Sequence, residues 1–165
     1  MDIAWNKLIE VLNAFADEVI STARQNLDAN NTNASRTLYD SMEKIVEVGE
    51  DYYKVSISMA DYWNFVESGR GPGKFPPPPA IRNWIEIKPV TPTPGVDGRT
   101  PTVEQLTFLI GRKIAQEGTT PQPFLQPAVD AVLAKYEERI ASAIDEDVSN
   151  YILELVEKKM RDALG

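Results

Sequence analysis

Apolar residues recur at three- and four-residue spacing in the N-terminal segment. Trp5, Leu8, Leu12, Phe15 and Val19 form one stripe, and Ile9, Ala16, Ile20, Ala23 and Leu27 form a second beside it. This spacing predicts a helix. The combined arc is wide, as for a helix laid across a sheet or held between neighbours. The helix is expected to end near Asp28, where ANNTNAS supplies turn formers that compete with helical hydrogen bonds.

The period then changes to two. KIVEV (44–48) is followed by Gly49-Glu50-Asp51 and by YYKVSISM (52–59), in which Tyr53, Val55, Ile57 and Met59 alternate with Lys54, Ser56 and Ser58. That alternation predicts a half-buried strand, and the short glycine-containing break predicts a hairpin. The preceding segment 35–43 reads as another strand leading in or as a helix end. The aromatics Tyr52, Tyr53, Tyr62, Trp63 and Phe65 are expected in the core. Glu50, Asp51, Asp61 and Glu67 surround them and oppose base stacking.

Further along, AIRNWIEIK (80–88) predicts about two helical turns with Ile81, Trp84 and Ile85 on one side. The stretch 89–101 is broken by prolines and glycines and predicts a projecting loop. Thr102-Val-Glu-Gln105 reads as a capping box opening a helix. Val103, Leu106, Ile110 and Ile114 are its expected buried face, with Leu109 beside them and Gly118 ending it. After TTPQP, Pro127 fits a first helical turn. Val129, Val132, Tyr136, Ile140, Ala143, Val148, Tyr151, Leu155 and Met160 carry the stripe to the C-terminus. Unbroken, 127–164 spans roughly 57 Å. Either the helix bends or breaks near Ser149-Asn150, or its end reaches a neighbour. The pairs and triplets Glu137-Glu138 and Asp145-Glu146-Asp147 on this helix are expected to face water.

All twelve prolines lie between 72 and 127. The pattern therefore predicts an α+β domain. An N-terminal helix and a long C-terminal helix pack on a small antiparallel sheet, with a Pro/Gly-rich central arm. The chain of 165 residues reads as one domain, with a body of 1–66 and 102–165 and a projecting arm and loop over 67–101.

Composition narrows the chemistry. There are no cysteines and no histidines, which removes disulfides, thiolate nucleophiles, the usual zinc sites and His-based triads. Only carboxylates, Lys, Tyr, Ser and Thr remain, so an enzyme is not expected, nor a cofactor or metal. A hydrolase working by carboxylates alone would need them clustered in one pocket. No apolar run approaches the ~20 residues of a membrane span. The N-terminus has no basic n-region and is not expected to be a signal peptide, which points to a cytoplasmic site of synthesis and assembly. Net charge is −8. Seven cations against four acids between Glu67 and Lys113 make that stretch +3 and leave −11 to the rest. An acidic body with a basic middle opposes general nucleic-acid binding.

The stretch ESGRGPGKFPPPP (67–79) imitates a phosphate-binding loop and fails its requirements. Gly73-Lys74 is followed by Phe75, Ser68 stands where the first glycine is needed, and prolines replace the helix. The prolines instead predict a stiff, extended polyproline segment.

Three segments in order carry a family resemblance. They are Tyr62-Trp-Asn-Phe-Val-Glu-Ser-Gly69, Ile110-Gly-Arg-Lys-Ile-Ala-Gln-Glu-Gly118 and Pro121-Gln-Pro-Phe-Leu-Gln-Pro-Ala128. Together they resemble the head–tail connector and tail-completion (neck) proteins of tailed bacteriophages. Arg70 departs from the expected Thr, and the proline run, the 89–101 loop and the last helix are longer than usual.

The resemblance implies a non-enzymatic virion subunit. It would form a homo-oligomeric ring, a hexamer or dodecamer, at the head–tail junction. It would touch other neck, portal-side or tail proteins, while DNA passes through without specific binding and no membrane is involved. On this reading Glu67, Gly69, Arg70, Gly71, Lys74, Phe75, Pro77 and Pro78 make inter-subunit contacts, and Trp84, Phe124 and Leu125 anchor the arm. The alternative is an adaptor module that recruits a partner through the proline-rich arm.

Overall fold

A computed structural model describes residues 3–30, 36–88, 90, 92–96 and 98–164. Most of the ANNTNAS turn and three positions of the 89–101 loop lie outside them. The elements in order are α1 (Asn6–Ala29), α2 (Thr37–Asp40), β1 (Glu43–Val48), β2 (Tyr53–Ser58), α3 (Trp63–Glu67), α4 (Pro78–Ile87), α5 (Val103–Glu117) and α6 (Gln126–Leu164). The fold is α+β, with an N-terminal helix, a long C-terminal helix and a two-stranded antiparallel sheet. From 36 to 43 the chain forms a short helix, α2, and runs into β1. No described helix is long and apolar enough to cross a membrane.

The chain gathers into two compact units rather than a body with an arm. Unit 1 comprises the chain up to Gln25, Met42–Met59 and the chain from Leu125 onward, and unit 2 comprises Asn26–Ser41 and Ala60–Phe124. The stretch expected to project, 67–101, belongs to unit 2 together with α5.

Unit 1 is built on two antiparallel helices. Leu8, Leu12 and Val19 of α1 are buried with Val132, Tyr136 and Ile140 of α6. Phe15 meets Tyr136 edge to face at 5.7 Å between ring centres. The direction follows from two polar contacts. The Asp147 carboxylate accepts hydrogen bonds at the start of α1 from the backbone N–H groups of Lys7 (3.1 Å) and Leu8 (2.9 Å), and Lys135 pairs with Glu18 at 2.7 Å. Lys135, and after it Tyr136, donate to Glu18 and hold its carboxyl below the usual carboxylate range.

The hairpin covers this pair with one face. Val46 and Val48 on β1, and Val55 and Ile57 on β2, pack against the core. Val46 stands opposite Val55 in the register. The expected alternation holds at those positions and fails at Tyr53, which is half exposed. Four of the five aromatics expected inside (Tyr52, Tyr53, Tyr62 and Phe65) are 40–57% exposed, and Trp63 is partly buried. The valines and Ile57 already fill the inner face of the sheet, and the five-residue α3 has no fully buried side.

In unit 2, α4 packs on α5 and buries Ile81 and Ile85, while Trp84 stays 40% exposed. The prolines are only half extended. Pro77 caps α4, and Pro78 and Pro79 occupy its first turn, where a missing N–H costs nothing. The capping box of α5 is present. The Thr102 hydroxyl accepts from Gln105 N–H (3.3 Å), and the Gln105 side chain accepts from Thr102 N–H (3.0 Å). Thr102→Ala is expected to lower stability by about 1 kcal/mol, read as a shift of the urea midpoint at unchanged slope.

The expected face of α5 is only partly covered, with Leu106, Ile110 and Ile114 half-buried. Thr107 and Gly111 are the buried positions, whereas Val103 and Leu109 are 41% and 50% exposed. Besides α4, a run of backbone packs on this helix, and small residues admit it.

Candidate functional site

The run of backbone is 69–75, laid antiparallel along α5. Arg70 and Thr119 exchange both backbone hydrogen bonds, N–H to carbonyl at 3.1 Å and back at 2.7 Å. Gly73 N–H donates to the Ala115 carbonyl at 2.9 Å. The Phe75 ring lies directly over Gly111 and stacks on Phe108 at 6.0 Å. Positions 111, 115 and 118 are Gly, Ala and Gly, about one helical turn apart, and they form the track.

The close approach dictates two glycines. Gly118 ends α5 at φ 78°, ψ −160°, and a Cβ there would stand 2.0 Å from the Arg70 carbonyl oxygen. Gly69 has φ 70°, and its Cβ would stand 2.4 Å from the Thr119 oxygen. Gly71, by contrast, faces open space.

The third segment of the arrangement is 121–124. Gln122 N–H donates to the Val66 carbonyl at 2.9 Å, and Phe124 N–H donates to the Glu67 carboxylate at 2.8 Å. The Phe124 side chain is fully buried, and its carbonyl accepts from the Asn26 amide at 2.9 Å. The three separated motifs therefore meet at one hydrogen-bonded junction. Val66-Glu67-x-Gly69 supplies an acceptor pair and a turn. The end of α5 supplies Gly118. Pro121–Phe124 supplies the donors.

This placement revises the roles expected from sequence. Glu67, Gly69 and Arg70 are engaged inside unit 2, and the Arg70 guanidinium donates to the Lys74 carbonyl. Glu67, expected at a neighbour, holds Phe124 instead. Phe75 is held on α5 and remains 41% exposed. Gly71, Lys74, Pro77 and Pro78 are exposed. Phe124 is fully buried, and Leu125 packs against the core of unit 1. Trp84 is half exposed, with the Lys88 ammonium 5.9 Å from its ring centre.

Around the junction, Phe108 and Leu109 are 57% and 50% exposed and border a shallow groove of about 850 Å³ with Arg99, Thr102 and Gln105. Glu67 and Asp147 accept backbone N–H groups from distant parts of the sequence, one from Phe124 and two from Lys7 and Leu8. Asp147 was expected to face water with its neighbours, and it is 3% exposed. Nothing in an Asp-Glu-Asp triplet marks which member turns inward. Among the described residues, no three Asp or Glu side chains converge on a possible metal site. Comparisons with protein-family models, with curated proteins and with solved structures find no match to this chain.

Proposed function

We propose that the chain is a non-enzymatic structural subunit of a tailed-phage virion, a ring-forming connector or tail-completion protein at the head–tail junction. The observation that carries this reading is the convergence of the three resembling motifs. They are far apart in sequence and meet as one hydrogen-bonded unit, so they belong together physically as well as in order. A coincidence of three short weak motifs would not require them to touch.

Two further features support it. Net charge is concentrated in unit 1, which carries the whole −8, while seven cations and six acids after Ser41 and one cation and two acids before it leave unit 2 neutral. An acidic body repels a passing duplex instead of gripping its phosphates. Phe75, Phe108 and Leu109, with Lys74 beside them, offer a half-exposed apolar face. We assign the contact with a neighbouring subunit or neck protein to this face, with Glu67, Gly69 and Arg70 as its internal support. The adaptor alternative loses its recruiting element, since Pro78 and Pro79 are helical.

The test is the protein composition of purified particles from the genome that encodes the chain. Mass spectrometry is expected to find it at a fixed low copy number per particle. Its absence from intact particles overturns the proposal.

A further inference from the structure

Two exposed patches, one in each unit, are built alike and differ in sign. The first lies on α5. Phe108 and Leu109 are 57% and 50% exposed, and the Phe75 ring stacked on Phe108 is 41% exposed. Arg112 follows Phe108 by four residues and Leu109 by three, so it stands on the same side of the helix, one turn on. Lys74, next to Phe75, is exposed. Neither cation has an acid partner among the described residues. Arg99 and Glu104 border the groove at the start of α5 and cancel in count, as do Lys113 and Glu117, which pair at 3.9 Å. This patch is apolar and positive.

The second patch is the outer face of the hairpin. Val46 and Val48 turn to the core, so Glu43, Ile45 and Glu47, the exposed members of the alternation, turn away from it. A Cβ at Gly49, next in the alternation, would meet the Tyr52 ring at 2.4 Å, which places that ring on the outer face too. Ile45 and Tyr52 are 50% and 55% exposed. Lys54, opposite Glu47 in the register, pairs with it at 3.1 Å. Glu43 and, in the turn, Glu50 and Asp51 have no cation partner among the described residues. This patch is apolar and negative.

Charge selects the occupant. The α5 patch set against its own copy brings cations to cations, and the hairpin set against its own copy brings acids to acids. Set against each other, the two patches match in both respects, aromatic and aliphatic centre to centre and cations to acids. The other exposed apolar stretch of unit 1, 152–164, holds three acids and three cations and offers no sign to match.

We propose that the α5 patch of one copy docks on the outer face of the hairpin of a second copy. The proposal rests on the assignment of the Phe75, Phe108 and Leu109 face to a neighbour, and it names that neighbour and the surface it presents. Each copy carries both patches, and a contact between two different surfaces is the kind that builds rings.

Sedimentation velocity of the full chain over a wide range of concentration and salt tests it. Self-association is expected, and added salt is expected to weaken it. Lys74→Glu with Arg112→Glu is expected to weaken it about a hundredfold, and so is Glu43→Lys with Glu50→Lys. Equimolar mixing of these two variants is expected to restore association, because each then meets a patch of opposite charge on the other. A second readout leaves the charges in place. p-Benzoylphenylalanine in place of Phe108 is expected, on irradiation, to give covalent dimers joined through residues 43–54 of the second copy, read by peptide mass spectrometry. A monomeric wild type overturns the proposal, as do variants that stay apart when mixed and cross-links that fall on α5 or α6 of the second copy. Particle composition tests the virion reading separately, so either can fail alone.

Discussion

Alanine at Gly118 is expected to destabilise the protein by about 3 kcal/mol or more and to lower its melting temperature by about 10 °C. The backbone there, φ 78° and ψ −160°, lies in a region essentially confined to glycine. The added methyl would also stand 2.0 Å from the Arg70 carbonyl oxygen. That oxygen is fixed by its hydrogen bond from Thr119 N–H, so it cannot turn aside as a side chain would. Relief requires 69–75 to lift from α5, which releases the Arg70–Thr119 pair, the Gly73–Ala115 bond and the seat of Phe75. Gly69→Ala is expected to act in the same direction, through φ 70° and the Thr119 oxygen. Gly71→Ala is the control, with open space and an expected change within about 0.5 kcal/mol. Thermal and urea unfolding read all three. Wild-type melting of Gly118→Ala would contradict the described junction.

Asp147→Ala is expected to cost about 2 kcal/mol. The first turn of a helix leaves N–H groups without intrahelical partners, and Asp147 satisfies two of them from a position 139 residues away from Leu8 in sequence. Alanine leaves Lys7 and Leu8 without those acceptors beside a packed core. It also removes the negative charge that the helix N-terminus favours. Asp147→Asn keeps one carbonyl oxygen and is expected to recover part of the loss. Asp145→Ala and Glu146→Ala, at exposed positions, are expected to leave the urea midpoint within about 0.5 kcal/mol of wild type. Equal effects at all three acids would refute the cap.

The contrast among those acids marks where sequence reading stops. Elements set by local periodicity or local chemistry were legible. The α1 stripe, the hairpin break at Gly49, the Thr102–Gln105 capping box and the glycine ending α5 depend on residues within a few positions of one another. The pattern of α6 left open a break near Ser149-Asn150, and the helix is continuous there.

What escaped depends on distant partners. Val103, Leu106, Ile110 and Ile114 were the expected buried face of α5, with Leu109 beside them. Leu106, Ile110 and Ile114 are half-buried, while Val103 and Leu109 are exposed. Here the segment 69–75 is a partner, with the Phe75 ring over Gly111 and Gly73 N–H on the Ala115 carbonyl. Four prolines in a row suggested a stiff stalk, yet two of them fit the first turn of α4 once Ile81 and Ile85 have a place to bury. Glu67 and Gly69 were singled out by the resemblance, and within the chain they close a junction in unit 2. The signal that could have found the track was the recurrence of small residues at 111, 115 and 118.

We propose that this chain joins heads to tails. Electron micrographs of lysates from a phage whose copy of this gene is disrupted test it most directly. The account predicts DNA-filled heads and separate tails, with joining restored when the wild-type chain is supplied. Intact, infectious particles formed in its absence would contradict the account.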